Sequence, residues 1–215
     1  MKNSVAAEQA RERIFEIIGH LTQAMASPAR LRILQVLSNR PSTVETLSQR
    51  SRESVANTSQ HLQKLLQAGL VNCEKQGVSR VYRVANEKVV DTWLSLQSLA
   101  QSVSPAIESE ITVVCPPELI SEISSAEIRK MVKAGKALLI DVREKIEFDT
   151  TPAPSAIHIP IEKFEETLKE IPKSKMIFIF CRGNYCSMAN PAVEMLRKKG
   201  YRAFRLRETS HELRT

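Results

Sequence analysis

The sequence predicts two domains of different class. The first is mainly α and ends on a β-hairpin; the second is α/β, a parallel sheet with helices on both faces. Three observations predict this. Apolar residues recur at helical spacing through the first seventy positions and then switch to two-residue alternation over Leu70–Val84. From Leu119 onward short β-branched runs alternate with helical patterns. Between the two, Ala106–Pro117 reads as a connector stiffened by Pro116-Pro117. The domains are therefore drawn at 1–104 and 118–215, with 105–117 as linker.

The first half justifies its elements in order. Ile14, Ile17, Ile18, Leu21 and Met25 form one helical stripe over Val5–Met25. Ser27-Pro28 opens a second helix, serine as N-cap and proline at the first helical position, with Leu31, Ile33, Leu34, Val36 and Leu37 as its stripe. Asn39-Arg40-Pro41 stops it, and Ser42 or Thr43 caps a third, short helix over Val44–Gln49. Ser51–Glu53 make a turn into a fourth helix, about Glu53–Gln67, closed by Ala68-Gly69. Leu70–Lys75 and Ser79–Val84 around Gln76-Gly77 form the hairpin, and a last helix runs over about Glu87–Gln101.

Helix, short turn, helix and hairpin in that order define a winged helix-turn-helix. Ala26-Ser-Pro-Ala-Arg-Leu-Arg-Ile-Leu34 and Ser59-Gln-His-Leu-Gln-Lys-Leu-Leu-Gln-Ala-Gly-Leu-Val71 resemble the ArsR family of bacterial repressors over almost all of the first hundred residues. The fourth helix carries the chemistry. Val55, Thr58, Leu62, Leu65 and Leu66 lie on its core face, whereas Asn57, Gln60, His61 and Lys64 fall at i, i+3, i+4 and i+7 on the other. Amides bond bidentately to base edges and lysine neutralises phosphate, so this face suits the major groove of an operator. Ser54 and Ser59 near its start are candidates for phosphate contacts, and Arg80 and Arg83 of the wing for the adjacent backbone or minor groove. His61 is read as a packing or phosphate-contacting residue.

Charge agrees with this assignment. Up to Pro105 there are 13 Lys and Arg against 8 Asp and Glu, a net of +5, and the remainder has 18 against 16, a net of +2. The ArsR resemblance also implies a twofold dimer formed by the first and last helices. Ile14, Ile17, Ile18, Trp93, Leu94 and Leu96 are more apolar surface than a hundred-residue core is expected to bury, although intramolecular packing is the alternative. Members of that family often hold metals through cysteines on the third helix or His/Asp sets on the last. Thr43–Ser48 has no cysteine, Glu87–Gln101 has Asp91 but no histidine, and His20, His61, His158 and His211 are scattered, so no metal site and no cofactor is expected.

In the second half the expected order is strand Leu119–Ile123, helix Ala126–Ala134, strand Ala137–Val142, strand Ala156–Ile159, helix Lys163–Ile171, strand Met176–Phe180, helix from Ser187, and strand Ala203–Leu206. Reactive groups in such sheets gather at the carboxyl ends of strands, which puts Asp141 and Cys181 near one crevice. A chain that leaves a strand and enters a helix within a few residues aims several N–H groups into one bowl. A thiol there, Cys181, is expected as a thiolate near neutral pH, with Gly183 taking positive φ to curl the loop.

Cys181-Arg182-Gly183-Asn184-Tyr185-Cys186 resembles the active-site loop of rhodanese-type sulfurtransferases. Leu138-Leu-Ile-Asp141-Val-Arg143, Glu147-Phe148 and Pro154-Ser-Ala156-Ile-His-Ile-Pro160 resemble that family's other marks. The resemblance implies a persulfide on Cys181, formed by attack on a small sulfur donor and removed by a thiol acceptor. The loop N–H groups would hold the terminal sulfur anion. Arg182 is a candidate for steering anionic donors or pointing to solvent, and Asp141 and Arg143 for bracing the loop. Phosphatases on the related fold place an arginine where Ser187 stands here, so phosphate has lost its clamp. Many active rhodaneses have an arginine where Cys186 stands. Cys186 instead offers a second thiol for a disulfide or shared persulfide, unless it is a spare cysteine. Thr151–Ser155 lacks the family's Gly-His, and Thr209–Leu213 its glycine and tryptophan, which suits slow, sensory chemistry.

Four cysteines without framework spacing suit a reducing cytosol, no apolar run approaches a membrane span, and the start lacks a secretion signal. Lone thiols such as Cys73 and Cys115 are expected to be inert more often than regulatory. The expected protein is a cytoplasmic, homodimeric regulator that binds double-stranded DNA and senses reactive sulfur. The alternative is a sulfurtransferase whose first domain mainly dimerises or localises it.

Overall fold

A computed structural model describes residues 2–214, and the chain parts into two units between Leu99 and Ala100. The first unit contains α1 (Lys2–Met25), α2 (Pro28–Leu37), β1 (Ser42–Thr43), α3 (Val44–Ser51), α4 (Val55–Gln67), β2 (Val71–Gln76) and β3 (Ser79–Val84). It also contains most of α5 (Glu87–Val103). Ile33 and Leu34 of α2, Leu47 of α3 and Leu62 and Leu65 of α4 are fully buried together, with Tyr82 closing the core from β3. This is a winged helix-turn-helix.

Three details differ from expectation. Ser42-Thr43 forms a third strand of the wing, paired with Tyr82 and Val81, so the sheet order is β1-β3-β2. Thr43 serves both roles, since its hydroxyl also caps α3 by accepting from the Thr46 amide at 3.4 Å. Val55, placed on the core face, is 48% exposed because it begins α4 before the helix reaches α2. Trp93, expected to be left over for a partner, is buried in its own unit and donates Nε1–H to Gln35 Oε1 at 2.7 Å. The turn between α3 and α4 is held by Arg52 in the left-handed region (φ 58°) and by Arg32, which donates to the Ser51 carbonyl and pairs with Glu53, both at 2.8 Å.

The second unit holds α6 (Pro105–Val114), α7 (Ser125–Lys133), β4 (Ala137–Asp141), α8 (Lys145–Thr150) and β5 (Ala156–His158). It continues with α9 (Phe164–Thr167), β6 (Met176–Phe180), α10 (Ala189–Lys198), β7 (Arg202–Arg205) and α11 (Ser210–Arg214). Its four strands are parallel in the order β5-β4-β6-β7. Alternation along β6 divides the core: Ile177 and Ile179 face Ala192, Val193 and Leu196 of α10, while Phe178 and Phe180 face Ile128 of α7 and Leu213 of α11. Helices thus cover both faces.

The stretch expected as a connector is helical over α6, with Ile111 and Cys115 buried. Pro105 at its first helical position begins it. Leu119–Ile123 is not a strand. A 3-10 turn over Pro117–Leu119 leaves a bridge from Ile120 to Arg205 in place of a strand. The Lys163–Ile171 helix is broken into α9 flanked by 3-10 turns. α8, opened by a capping box between Glu144 and Glu147, was not foreseen, nor was α11. No described helix is long and apolar enough to cross a membrane.

Candidate functional site

β6 delivers Cys181 to its carboxyl end, and eight residues later α10 begins. The chain between them is a tight loop in which the Cys186 amide donates to the Gly183 carbonyl at 3.3 Å. Gly183 has φ 85°, as expected, and a Cβ built there would lie 2.8 Å from Thr209 Cγ2. The loop rests on Arg205 at the end of β7. This guanidinium is fully buried and donates to the carbonyls of Gly183 (3.0 Å), Cys186 (2.5 Å) and Val114 (3.2 Å), and to Asn190 Oδ1.

Both thiols are free, and Cys181 Sγ–H donates to the Cys186 carbonyl. The Cys181 thiol is held well above its ordinary pKa by its hydrogen bond with Cys186 and by burial, with 1% of the residue exposed. Its Sγ–H lies 3.3 Å from the Cys186 carbonyl oxygen. Cys186 is shifted the other way: the neighbouring Cys181 thiol, the amides of Met188 and Arg182 and the Arg182 charge bring its pKa down to about 5. Backbone amides favour the anion of both sulfurs, Ala189 at Cys181 and Met188 and Arg182 at Cys186.

Arg182 does not point to solvent. It forms a bidentate pair with Glu147, at 2.7 and 2.6 Å, and lies 3.5 Å from Glu144. Burial raises the Glu147 pKa, but the Arg182 partner outweighs it and the carboxyl is held below its ordinary value. Asp141 and Arg143 are both fully buried and paired at 2.7 Å. Arg143 also donates to the hydroxyl (3.0 Å) and carbonyl (2.9 Å) of Thr151, so the pair braces the segment after α8. Asn184 is half-buried, and its Oδ1 has no hydrogen-bond partner among the described residues. Tyr185 is 38% exposed and its Oη accepts from Gln101 Nε2 at 3.3 Å. Glu147 and Arg205 were not foreseen as site residues. An arginine inside a strand that must be buried is the signal that could have pointed to Arg205.

On the first unit, Asn57, Gln60 and Lys64 of α4 are exposed on one face and Thr58, Leu62 and Leu65 are buried on the other. His61 is half-buried, and its Nδ1 has no partner among the described residues. Ser54 Oγ accepts from the Asn57 amide at 3.1 Å as the N-cap, which leaves its proton for a phosphate. Ser59 Oγ donates to the Val55 carbonyl at 2.9 Å, so that hydroxyl is engaged within its own helix. In the wing Arg80 is exposed, whereas Arg83 pairs with Glu74 at 2.6 Å. Among the described residues no group of three or more His, Cys, Asp or Glu side chains gathers as metal ligands do.

The geometry defines a helix-turn-helix protein joined to a sulfurtransferase-type α/β unit, and comparison with known proteins agrees. Residues 25–74 match the helix-turn-helix domain family and residues 124–209 the rhodanese-like domain family. Across 194 residues the chain is 30% identical to the HTH-type transcriptional regulator Rv0324 of Mycobacterium tuberculosis, covering 90% of this chain and 85% of that one. A candidate sulfurtransferase of Bacillus subtilis, YtwF, is 36% identical over 70 residues, 32% of this chain and 68% of its own. Among solved structures, the homodimeric winged helix-turn-helix domain of Mb0332 from Mycobacterium bovis is 26% identical (TM-score 0.41; 42% of this chain, 84% of that one). A rhodanese-related protein of Thermoplasma volcanium is 25% identical (TM-score 0.36; 42% and 87%). The chain belongs to the ArsR-like HTH-type transcriptional regulators that carry a C-terminal rhodanese-like domain.

Proposed function

We propose that this regulator is a cytoplasmic homodimer whose operator affinity is set by reactive sulfur captured on the Cys181–Cys186 loop. The observation that carries the reading is the pair of free thiols on one strand-to-helix loop, with Cys181 Sγ–H donating to the Cys186 carbonyl at 3.3 Å, in a chain that also holds a helix-turn-helix. A small persulfide or polysulfide is the sulfur donor, a persulfide on the loop the first product, and a thiol the final acceptor. Sensing is favoured over rapid turnover because Cys181 is buried and Arg182 is already committed to Glu147. The α4 face of Asn57, Gln60 and Lys64 reads the major groove, with Arg80 reaching the flanking backbone.

A route for the signal is available inside the second unit. Tyr185 of the loop accepts from Gln101 on α5, and Asn190 and Arg205 both donate to the Val114 carbonyl at the end of α6. Sulfur on the loop changes the shape that these contacts fit. A coupling of about 1–3 kcal/mol corresponds to a change of roughly 5–150-fold in operator affinity. The test is an electrophoretic mobility shift on the DNA upstream of the protein's own gene, with and without polysulfide. Unchanged affinity would sink the coupling. Robust thiosulfate:cyanide turnover lost in Cys181→Ser, with only salt-sensitive, sequence-independent DNA binding, would show a sulfurtransferase instead.

A further inference from the structure

The strands of the second unit carry different chemistry at their two ends. Cys181 and its loop close the carboxyl end of β6, whereas the amino ends gather cations. The first residues of three strands lie in one row, Ala137 beside Met176 and Met176 beside Arg202. Lys136 leads into β4, and Lys173 and Lys175 lead into β6. Lys198 ends α10, Lys199 caps it, and Arg202 begins β7. Contacts tie these segments together. The Met176 amide donates to the Lys136 carbonyl at 3.3 Å, Arg202 donates to the Ser174 carbonyl at 3.3 Å, and Lys173 Nζ lies 5.3 Å from the centre of the Tyr201 ring. Lys175 is half-buried, and the other five cationic residues are exposed.

We propose that this amino-terminal edge of the sheet is a second contact for DNA, one that grips the phosphate backbone without reading sequence. This rests on the DNA-binding reading above and extends its footprint to the second unit. Among the described residues none of the six cations forms a salt bridge. Glu170 and Glu194 are the carboxylates nearest to them along the chain. Counting both, together with about half a negative charge from each carboxyl end of α7 and α10, the edge still carries roughly +3. An edge three strands wide spans about 10 Å, and a duplex carries one charge per about 1.7 Å of its axis, so the edge meets several phosphates.

The make-up of the edge selects this partner. Five of the six cations are lysines, point charges that suit phosphate. The large apolar side chains that the second unit exposes, such as Val113, Ile146 and Ile157, lie on other elements. Protein interfaces are depleted in lysine and anchored by aromatic or apolar residues, so a protein partner does not fit an edge of this kind. A polyanion does. DNA is the polyanion that the same chain brings close, because a duplex held by α4 is at high local concentration for the unit tethered to it.

The test is a set of binding titrations of the full-length protein, from low to high salt, on the duplex upstream of its own gene and on a random duplex of equal length. One variant combines Lys136→Gln, Lys198→Gln and Lys199→Gln. A control combining Lys130→Gln, Lys145→Gln and Lys163→Gln removes the same charge from exposed positions elsewhere on the unit. A third variant, with Lys136→Arg, Lys198→Arg and Lys199→Arg, keeps the charge in place. The edge variant, checked for native circular dichroism, is expected to bind both duplexes about tenfold more weakly or worse at low salt. Its slope of log K against log salt should fall by about 2–3, with the preference for the upstream duplex unchanged. Lys136→Gln alone should lower the slope by about 1. The control and arginine variants are expected to bind as wild type does. Wild-type affinity and slope in the edge variant would overturn the second contact, and so would a control that loses as much. An edge variant that keeps its DNA affinity but no longer sediments with phosphatidylserine vesicles that wild type binds would reassign the edge to a membrane surface. If wild type binds neither duplex, the DNA reading itself falls, and this contact with it.

Discussion

The guanidinium of Arg205 donates to the Cys186 carbonyl at 2.5 Å from a fully buried position at the end of β7. One side chain therefore carries the reactive loop, the end of α6 and the start of α10, through Gly183, Val114 and Asn190.

Removing that support has a calculable cost. Arg205→Met takes a charged donor away from the Gly183, Cys186 and Val114 carbonyls and from Asn190 Oδ1, and hydrogen bonds from a charged group contribute about 1.5–3 kcal/mol each. We expect the second unit to lose more than about 3 kcal/mol, and Arg205→Lys to recover only part, since a single ammonium does not span the same acceptors. Trp93 is the only tryptophan and is buried in the first unit. Urea unfolding should therefore show the loss in far-UV circular dichroism, while the Trp93 fluorescence transition stays in place. A shift of both by the same amount would contradict it.

The pH dependence of alkylation separates the two thiols. The thiolate is the nucleophile, and Cys186 keeps its charge down to about pH 5. Iodoacetamide should label Cys186 at a rate that rises through about pH 5 and is nearly flat from neutral to mildly alkaline conditions. The Cys181 thiol, raised by its hydrogen bond with Cys186 and by burial, should label only under strongly alkaline conditions. Arg182→Gln removes a positive charge that lowers the Cys186 pKa, so the rise should move to higher pH. Peptide mapping across pH 4–10 reads all three outcomes.

How far the sequence carried these conclusions depends on what each residue must touch. The helices and strands around Leu62, Ile177 and Val193 are legible because their apolar spacing is local and periodic. The positive φ of Gly183 is legible because a strand that turns into a helix within a few residues needs such a residue. Arg182 was not, since its inward turn depends on Glu147, thirty-five residues away on a helix defined by a capping box rather than by apolar spacing. The downward pull on the Cys186 pKa was not legible either. It depends on the Arg182 guanidinium and on the amides of Arg182 and Met188, which reach this thiol only once the loop is folded.

Gly183→Ala tests the loop's curvature. A non-glycine residue in the left-handed region costs about 1–2 kcal/mol, and the added methyl would overlap Thr209 Cγ2 at 2.8 Å. Thr209→Ser removes that methyl and keeps the hydroxyl that pairs with Glu212 at 2.8 Å. The double variant should therefore be more stable than the sum of the singles by about 0.5–3 kcal/mol, while still falling short of wild type. Strict additivity in a thermal or urea double-mutant cycle would show that Thr209 is not what Gly183 must avoid.

On the DNA side the residues of α4 should separate by role. Asn57→Ala and Gln60→Ala should each weaken operator binding by about 1–3 kcal/mol and relax preference at one base pair. Lys64→Ala should weaken all sequences alike and lower the salt slope by about 1. Arg80→Ala should act as Lys64→Ala does, and Arg83→Ala less so, because Glu74 already neutralises Arg83. Binding titrations at several salt concentrations on specific and random duplexes give both quantities.

The proposed dimer rests on α1. Ile14, Phe15, Ile17 and Ile18 are each more than half exposed, and Leu21 is 37% exposed, which leaves a continuous apolar stripe on a helix of 24 residues. Fully burying such a side chain contributes about 1.5–3 kcal/mol, so a stripe of this length is enough to favour self-association with the same face of a second copy. A charge in its middle should abolish this, since a carboxylate cannot be left unpaired between two apolar helices. Ile17→Glu is therefore expected to be monomeric by light scattering at micromolar concentration. The same variant should lose cooperative binding to a two-half-site operator while retaining weak binding to a single half-site. A dimer of undiminished stability in Ile17→Glu would place the interface elsewhere on the chain.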